Sequence, residues 1–247
     1  MPNNVEKMST NYSPNFDLRK RSKRNIKYII FHYTGMKNDK LAIKRLTDFN
    51  SKVSCHYYIH KNGKLTQLVP DLYIAWHAGK SSWKKFNLLN KNSIGIEISN
   101  PGHEFNYRNF STKQINSLLK LSKLLMRKYK IEPKFILGHS DIAPKRKKDP
   151  GEKFPWRFLA KHGIGLWHTL TSNKLKINRN KKIDKIDEKF FYKNLLKIGY
   201  LNKDSKNFKS SNYLIKAFQR RYRQELINGK LDKECLLISE NIVKKFV

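Results

Sequence analysis

"STKQINSLLKLSKLLMRKYKIEPKFILGHS", residues 111–140, decides the fold class. Ser111 followed by Gln114 reads as a capping box, in which two side chains satisfy amides left free at a helix start. Behind it, Ile115, Leu118, Leu119, Ser122 and Leu125 recur at helical spacing and form one face. Pro133 ends that pattern, because proline lacks an N–H and restricts the residue before it. "KFILGHS" (134–140) then reads as a buried strand running into a loop, with His139 at its end.

The same alternation appears upstream. "KYIIFHYT" (27–34) is a β-rich run ending near His32, and "DKLAIKRLTDF" (39–49) fits a short helix. "SCHYYIHKNGKLTQLV" (54–69) predicts a hairpin around Asn62-Gly63, the residue pair of a type I′ turn. "SIGIEIS" (93–99) predicts a strand with Ile94, Ile96 and Ile98 on one face and Glu97 on the other. Strands alternating with helices predict an α/β domain. The expected organisation is a flexible polar arm over 1–25, an α/β domain over 26–170, a polar basic linker over 171–186 and a helical module over 187–247.

The chain has 247 residues, of which 38% are hydrophobic and 12% aromatic, enough for a real core. Lys and Arg number 53 against 19 Asp and Glu, a formal charge of +34 that favours anionic partners. The lysines are spread along the chain among many Asn and Ile, and no recognition motif accompanies them, so nucleic acid is not the expected partner. Cys55 and Cys235 lie far apart and make neither a disulfide framework nor a CxxC site. No apolar run reaches the roughly 18 residues of a membrane span. The N-terminus has no apolar signal region, so the expected location is cytoplasmic, with export by a non-standard route as the alternative.

His32 and His139 each close a β run, and Asp149 follows in a loop. Two histidines and one carboxylate are the three-protein-ligand set of a catalytic zinc that keeps a fourth position open. Each histidine could equally be a packed core residue, since 107 positions separate the two.

The motifs "FHYTG", "CHYYIHKNGKLTQLVPD", "AWHAGKSSW", "NSIGIEISN" and "GHSDIAPKRKKDPGEKFPW" occur in this order over roughly residues 25–170. Together they resemble the type-2 N-acetylmuramoyl-L-alanine amidase family, of the AmpD/AmiD kind. The resemblance implies a mixed central sheet flanked by helices, shared with peptidoglycan recognition proteins. It implies Zn2+ held by His32, His139 and Asp149, with Glu97 as general base and Lys147 stabilising the oxyanion. It implies Trp76 and His77 on the substrate groove, and a peptidoglycan or anhydro-muropeptide substrate. His56 and His60 are expected to support the hairpin, Asp141 to orient His139 or to serve as a turn residue beside it, and Pro155 and Trp156 to close the loop on the core. Two positions depart from relatives. Cys55 stands where related phage amidases carry a catalytic Tyr, which leaves the role to Glu97. Lys145 stands where many relatives have Gly, adding charge near the rim.

In the tail, "LLKIGY" followed by "YLIKAFQRRYRQELINGKLDKECLLI" resembles the type-1 peptidoglycan-binding module, a three-helix domain. That resemblance implies a tether to the wall polymer. A metal-free protein on the same fold, binding muropeptides without cutting them, is the competing expectation.

Overall fold

The structure is a computed structural model and describes residues 8–200 and 212–247. Its strands are β1 (Ser9–Thr10), β2 (Phe16–Asp17), β3 (Tyr28–Tyr33), β4 (Tyr57–Ile59), β5 (Leu65–Gln67), β6 (Ile74–Ala75), β7 (Ser82–Trp83), β8 (Phe86–Asn87), β9 (Ser93–Ile98) and β10 (Ile136–Gly138). Its α-helices are α1 (Asp39–Thr47), α2 (Thr112–Tyr129), α3 (His139–Ile142), α4 (Trp156–Lys161), α5 (Ser172–Asn178), α6 (Lys185–Ile198), α7 (Asn212–Tyr222) and α8 (Lys233–Phe246).

Six strands form one mixed sheet in the order β1-β5-β4-β9-β3-β10. All neighbours are parallel except the β4–β5 hairpin. The long central pair, β3 and β9, runs in register from Tyr28↔Ser93 to Tyr33↔Ile98. Both faces of this pair are covered, which is why β3 is apolar at consecutive positions rather than alternating. Ile29, Phe31, Ile94, Ile96 and Ile98 pack with the Ile115, Leu118, Leu121 and Leu125 face of α2. The capping box at Ser111 and Gln114 is present, so that helix begins where the sequence predicts.

The hairpin forms, but with a different turn. Only Gly63 has a positive φ (+87°), and its N–H donates to His60 O at 2.9 Å. This is a three-residue loop with glycine in the left-handed position, not a two-residue type I′ turn. A side chain at Gly63 would meet the Lys113 carbonyl at the start of α2. Packing of the loop against that helix has therefore overridden the local Asn-Gly preference.

Tyr28 and Ile30, on the opposite face of β3, share a buried cluster with Leu137 and Ile142 and with the C-terminal helices, through Phe191, Leu195, Phe218 and Leu236. The predicted helices of the tail are thus present, and they cover the second face of the sheet. Two expectations change. The stretch 171–186, expected as a linker, contains α5, whose Leu175 is buried in that same cluster. A polar, basic composition concealed a seven-residue helix anchored by one buried leucine.

The arm expected to be flexible over 1–25 is packed in its described part. Ser9 and Thr10 extend the sheet beside β5, covering its edge, and Phe16 pairs with Ala75. Arg21 is buried (7% exposed), and its guanidinium donates to Asp71 O, Asn90 O and Ser93 O at 2.8, 2.9 and 2.7 Å. Replacing this side chain leaves several buried carbonyls without a donor. Arg21→Ala is expected to lose about 3 kcal/mol of stability, read as a lower urea midpoint at unchanged slope.

Candidate metal centre and active site

The β3–β9 register places His32 directly beside Glu97, on the face of β9 opposite its isoleucines. Glu97 also pairs in register with Tyr58 of β4. β10 lies on the other side of β3 and runs straight into α3, so His139 emerges next to His32. The loop after α3 folds back, and the Ser140 N–H donates to Asp149 O at 2.8 Å, which returns Asp149 to the same point.

The three predicted donors meet. His32 Nδ1 and His139 Nδ1 are 2.9 Å apart, and Asp149 Oδ2 lies 3.1 and 3.0 Å from them. All three residues are buried. On a tetrahedral centre with bonds of about 2.0–2.1 Å, donor atoms sit about 3.3–3.4 Å apart. The observed triangle is close to that size.

Proton positions follow from the outer contacts. His139 Nε2 lies 3.1 Å from Ala78 O, which can only accept, so Nε2–H donates there and the Nδ1 lone pair faces the triangle. Ser93 Oγ–H donates to Leu89 O at 2.6 Å, so Ser93 Oγ accepts from His77 Nε2–H at 3.2 Å. His77 Nδ1 is then a free acceptor, and His32 Nε2–H donates to it at 3.0 Å. His32 Nδ1 is thereby left as a lone pair. Two neutral imidazoles and a carboxylate with their lone pairs converging suit a divalent cation, and outer hydrogen bonds of this kind are what orient metal-ligating histidines.

The electrostatics agree. Burial, reinforced by His139, lowers His32 to about 4 and keeps it neutral. Glu97 is different. Burial first, then the charge of Asp149, push it up to about 8. Its side chain is half-buried, and its enclosed Oε2 has no hydrogen-bond partner among the described residues.

These groups line a cavity of about 580 Å³ that also includes Lys147, half-buried, and the basic side chains of Arg45, Arg146 and Lys148. Glu97 and Lys147 are therefore brought together with the three donors. Of the two residues expected on the groove, His77 lines the cavity and Trp76 does not. Trp76 lies off the cavity wall, and its indole Nε1–H donates to Asp17 Oδ1 at 2.7 Å. His77 reaches the wall, but both its ring nitrogens are engaged, and it supports His32 from behind. The close packing of its ring over Gly95 explains that glycine, since a Cβ there would collide with the ring.

Other residues sort simply. His56 and His60 brace the hairpin region, with His56 Nδ1 accepting from the Gly95 N–H at 3.0 Å and His60 Nε2 contacting Thr66 Oγ1 at 2.9 Å. Cys55 is fully buried, with its thiol raised by burial, and its Sγ–H donates to Tyr57 O. It stands outside the donor set. Sequence reasoning missed Ser93 and the Ala78 carbonyl, whose parts are visible only once the hydrogen bonds are traced. Arg146 is exposed at the cavity rim, and its guanidinium donates to Ala78 O and Lys80 O at 2.7 and 2.9 Å.

A mixed sheet that presents two histidines and a carboxylate at the floor of a cavity, with a further carboxyl of raised pKa beside them, has the make-up of a metal-dependent hydrolase. Residues 22–152 match the Amidase_2 family, N-acetylmuramoyl-L-alanine amidase. The chain is 35% identical over 233 residues to the N-acetylmuramoyl-L-alanine amidase AmiD of Escherichia coli (strain K12), covering 90% of this chain and 83% of that protein. The solved complex of E. coli AmiD with anhydro-N-acetylmuramic acid-L-Ala-D-gamma-Glu-L-Lys superposes with a TM-score of 0.78 at 33% identity, over 93% of each chain. AmpDH3 from Pseudomonas aeruginosa in complex with anhydromuramic pentapeptide also reaches a TM-score of 0.78, at 29% identity, over 94% of this chain and 97% of that one. The chain belongs to the Amidase_2 family and is an N-acetylmuramoyl-L-alanine amidase, a hydrolase of the peptidoglycan amide bond.

The raised Glu97 has a thermodynamic consequence. In the unfolded chain it ionises near its ordinary value of 4.5, and in the folded metal-free protein near 8. Its contribution to stability is therefore present below about 4.5 and lost as pH rises through about 8. In chelator, Glu97→Gln is expected to raise the unfolding temperature over wild type at pH 8 and to have a much smaller effect at about pH 5. Scanning fluorimetry at the two pH values checks this.

Proposed function

We propose that the protein is a zinc-dependent amidase acting on peptidoglycan stem peptides in cell-wall turnover or recycling. It would cut the amide between the lactyl group of N-acetylmuramic acid, or its anhydro form, and L-alanine. The observation that carries this reading is the convergence of three lone pairs from His32, His139 and Asp149, with every outer proton directed away. That donor set suits Zn2+, which when bound supplies a Lewis acid that acidifies water and polarises the amide carbonyl.

The chain's own residues would do the rest. Glu97 takes the proton of the attacking water and delivers it to the departing nitrogen as the C–N bond breaks. Its raised pKa suits both halves of that task near neutral pH. Lys147 offers a positive charge to the carbonyl oxygen as negative charge develops there. The products are the muramyl carboxylate and a peptide with a free L-alanine amine. Arg45, Arg146 and Lys148 at the cavity favour the carboxylates of an acidic stem peptide. The relatives whose complexes hold anhydromuramyl peptides support an anhydro-muropeptide among its substrates. We further infer from the sequence resemblance that α6, α7 and α8 give the chain affinity for the wall polymer, the high positive charge adding to it.

His139→Ala is expected to lose both stoichiometric zinc and turnover. Glu97→Ala is expected to keep zinc while kcat falls roughly a hundredfold to ten-thousandfold. Elemental analysis of the purified variants, with mass spectrometry of products from a defined muropeptide, checks reaction, bond and metal together. Wild-type activity persisting after removal of all metal would overturn the zinc reading. Co-sedimentation of the full chain with insoluble sacculi tests the polymer affinity.

A further inference from the structure

The C-terminal helices reach the donor set through one buried carboxylate. Asp141 lies in α3, two residues beyond His139, and is 1% exposed. Its Oδ2 accepts from the Gly138 N–H at 2.7 Å, and this bond closes the first turn of α3 where β10 ends. Its Oδ1 accepts from the Tyr200 hydroxyl at 2.6 Å. Tyr200 stands two positions beyond α6, after Gly199. Arg221 of α7, 2% exposed, brings Nη1 to 3.9 Å from Asp141 Oδ2.

Arg221 is itself held on two sides. Its guanidinium carbon lies 3.2 Å from the centre of the Trp156 ring, and its Nη2–H donates to Ile136 O in β10 at 3.3 Å. Apolar contacts continue the same junction, since Leu137 and Ile142 share a cluster with Leu214 and Phe218 of α7. The four residues of α3 are too few to hold their own direction, because a lone helical turn is unfavourable without tertiary support. The direction of His139 thus depends on Asp141, and that of Asp141 depends on residues some 60 to 80 positions further along the chain.

We propose that the C-terminal helical segment positions the metal ligand His139, with Tyr200 and Arg221 as positioning residues acting through Asp141. The proposal rests on the reading of His32, His139 and Asp149 as a metal centre. It makes the helices part of the apparatus that shapes the site, in addition to any affinity for polymer. It also means that truncating the tail disturbs the site, so point variants in the full chain are the proper probe.

The test compares wild type, Tyr200→Phe and Arg221→Lys with a control, Ile242→Val, which thins the same C-terminal cluster without touching Asp141. Zinc affinity is measured by competition with a chromophoric chelator, and coordination geometry by the d–d absorption of the cobalt-loaded proteins. Tyr200→Phe and Arg221→Lys are expected to weaken zinc binding about tenfold and to alter the cobalt spectrum. Ile242→Val is expected to match wild type in both readouts, even where its unfolding temperature falls as far. Should Tyr200→Phe not fold, Arg221→Lys carries the test alone. Affinity of the folded variants within about twofold of wild type, or an equal loss in Ile242→Val, would overturn the proposal. A wild type that takes up no zinc would instead bring down the metal reading, and this proposal with it.

Discussion

Two imidazole nitrogens and a carboxylate oxygen, held lone pair to lone pair within 3.1 Å, form the contact on which this structure depends. In a buried place such an arrangement is unfavourable by itself, because electron-rich atoms face one another with little solvent to screen them. It persists only where the surrounding structure dictates the direction of every ring. The serine, histidine and carbonyl groups behind His32 and His139 do this by accepting the outer protons. A divalent cation would relieve the same repulsion directly.

The sheet is the second layer of that control. Because β3 and β9 are parallel and in register, a residue on one has a fixed neighbour on the other, and His32 stands beside Glu97. Both faces must be covered for such strands to be stable. One cover is α2, close in sequence and fully amphipathic. The other is the C-terminal helical segment, which closes over Tyr28 and Ile30 and touches α3. Folding of the tail and shaping of the site are therefore physically linked. The described N-terminal residues add a third tie, through Arg21 and its backbone acceptors below β9.

Most elements were legible from local pattern. The capping box and apolar face of α2, the isoleucine alternation of β9, and the β run that ends at His32 each carry their signal within a short window. The donor set was legible through motif resemblance, since spacing alone cannot join positions 107 apart. What misled was composition and proximity in sequence. Polar residues suggested a loose arm and a linker, yet strand pairing and the buried Arg21 fasten the described part of the arm, and α5 with its buried Leu175 packs the linker. Trp76 and His77 are adjacent in the chain but serve different surroundings, one bonded to Asp17 and the other to His32.

By itself, the sequence determined the alternation of strands and helices, the identity of the three donors and the two further polar groups of the cavity. The alternation follows from residue type and local period, which act over a few positions, whereas the donors and the two polar groups follow from the motif resemblance. Only the tertiary structure decided the tautomers of the histidines, the raised pKa of Glu97, the turn at Gly63 and the coupling of Asp141 to Tyr200 and Arg221. Each of those depends on burial or on a partner far along the chain. Such terms exist only once the chain has closed on itself.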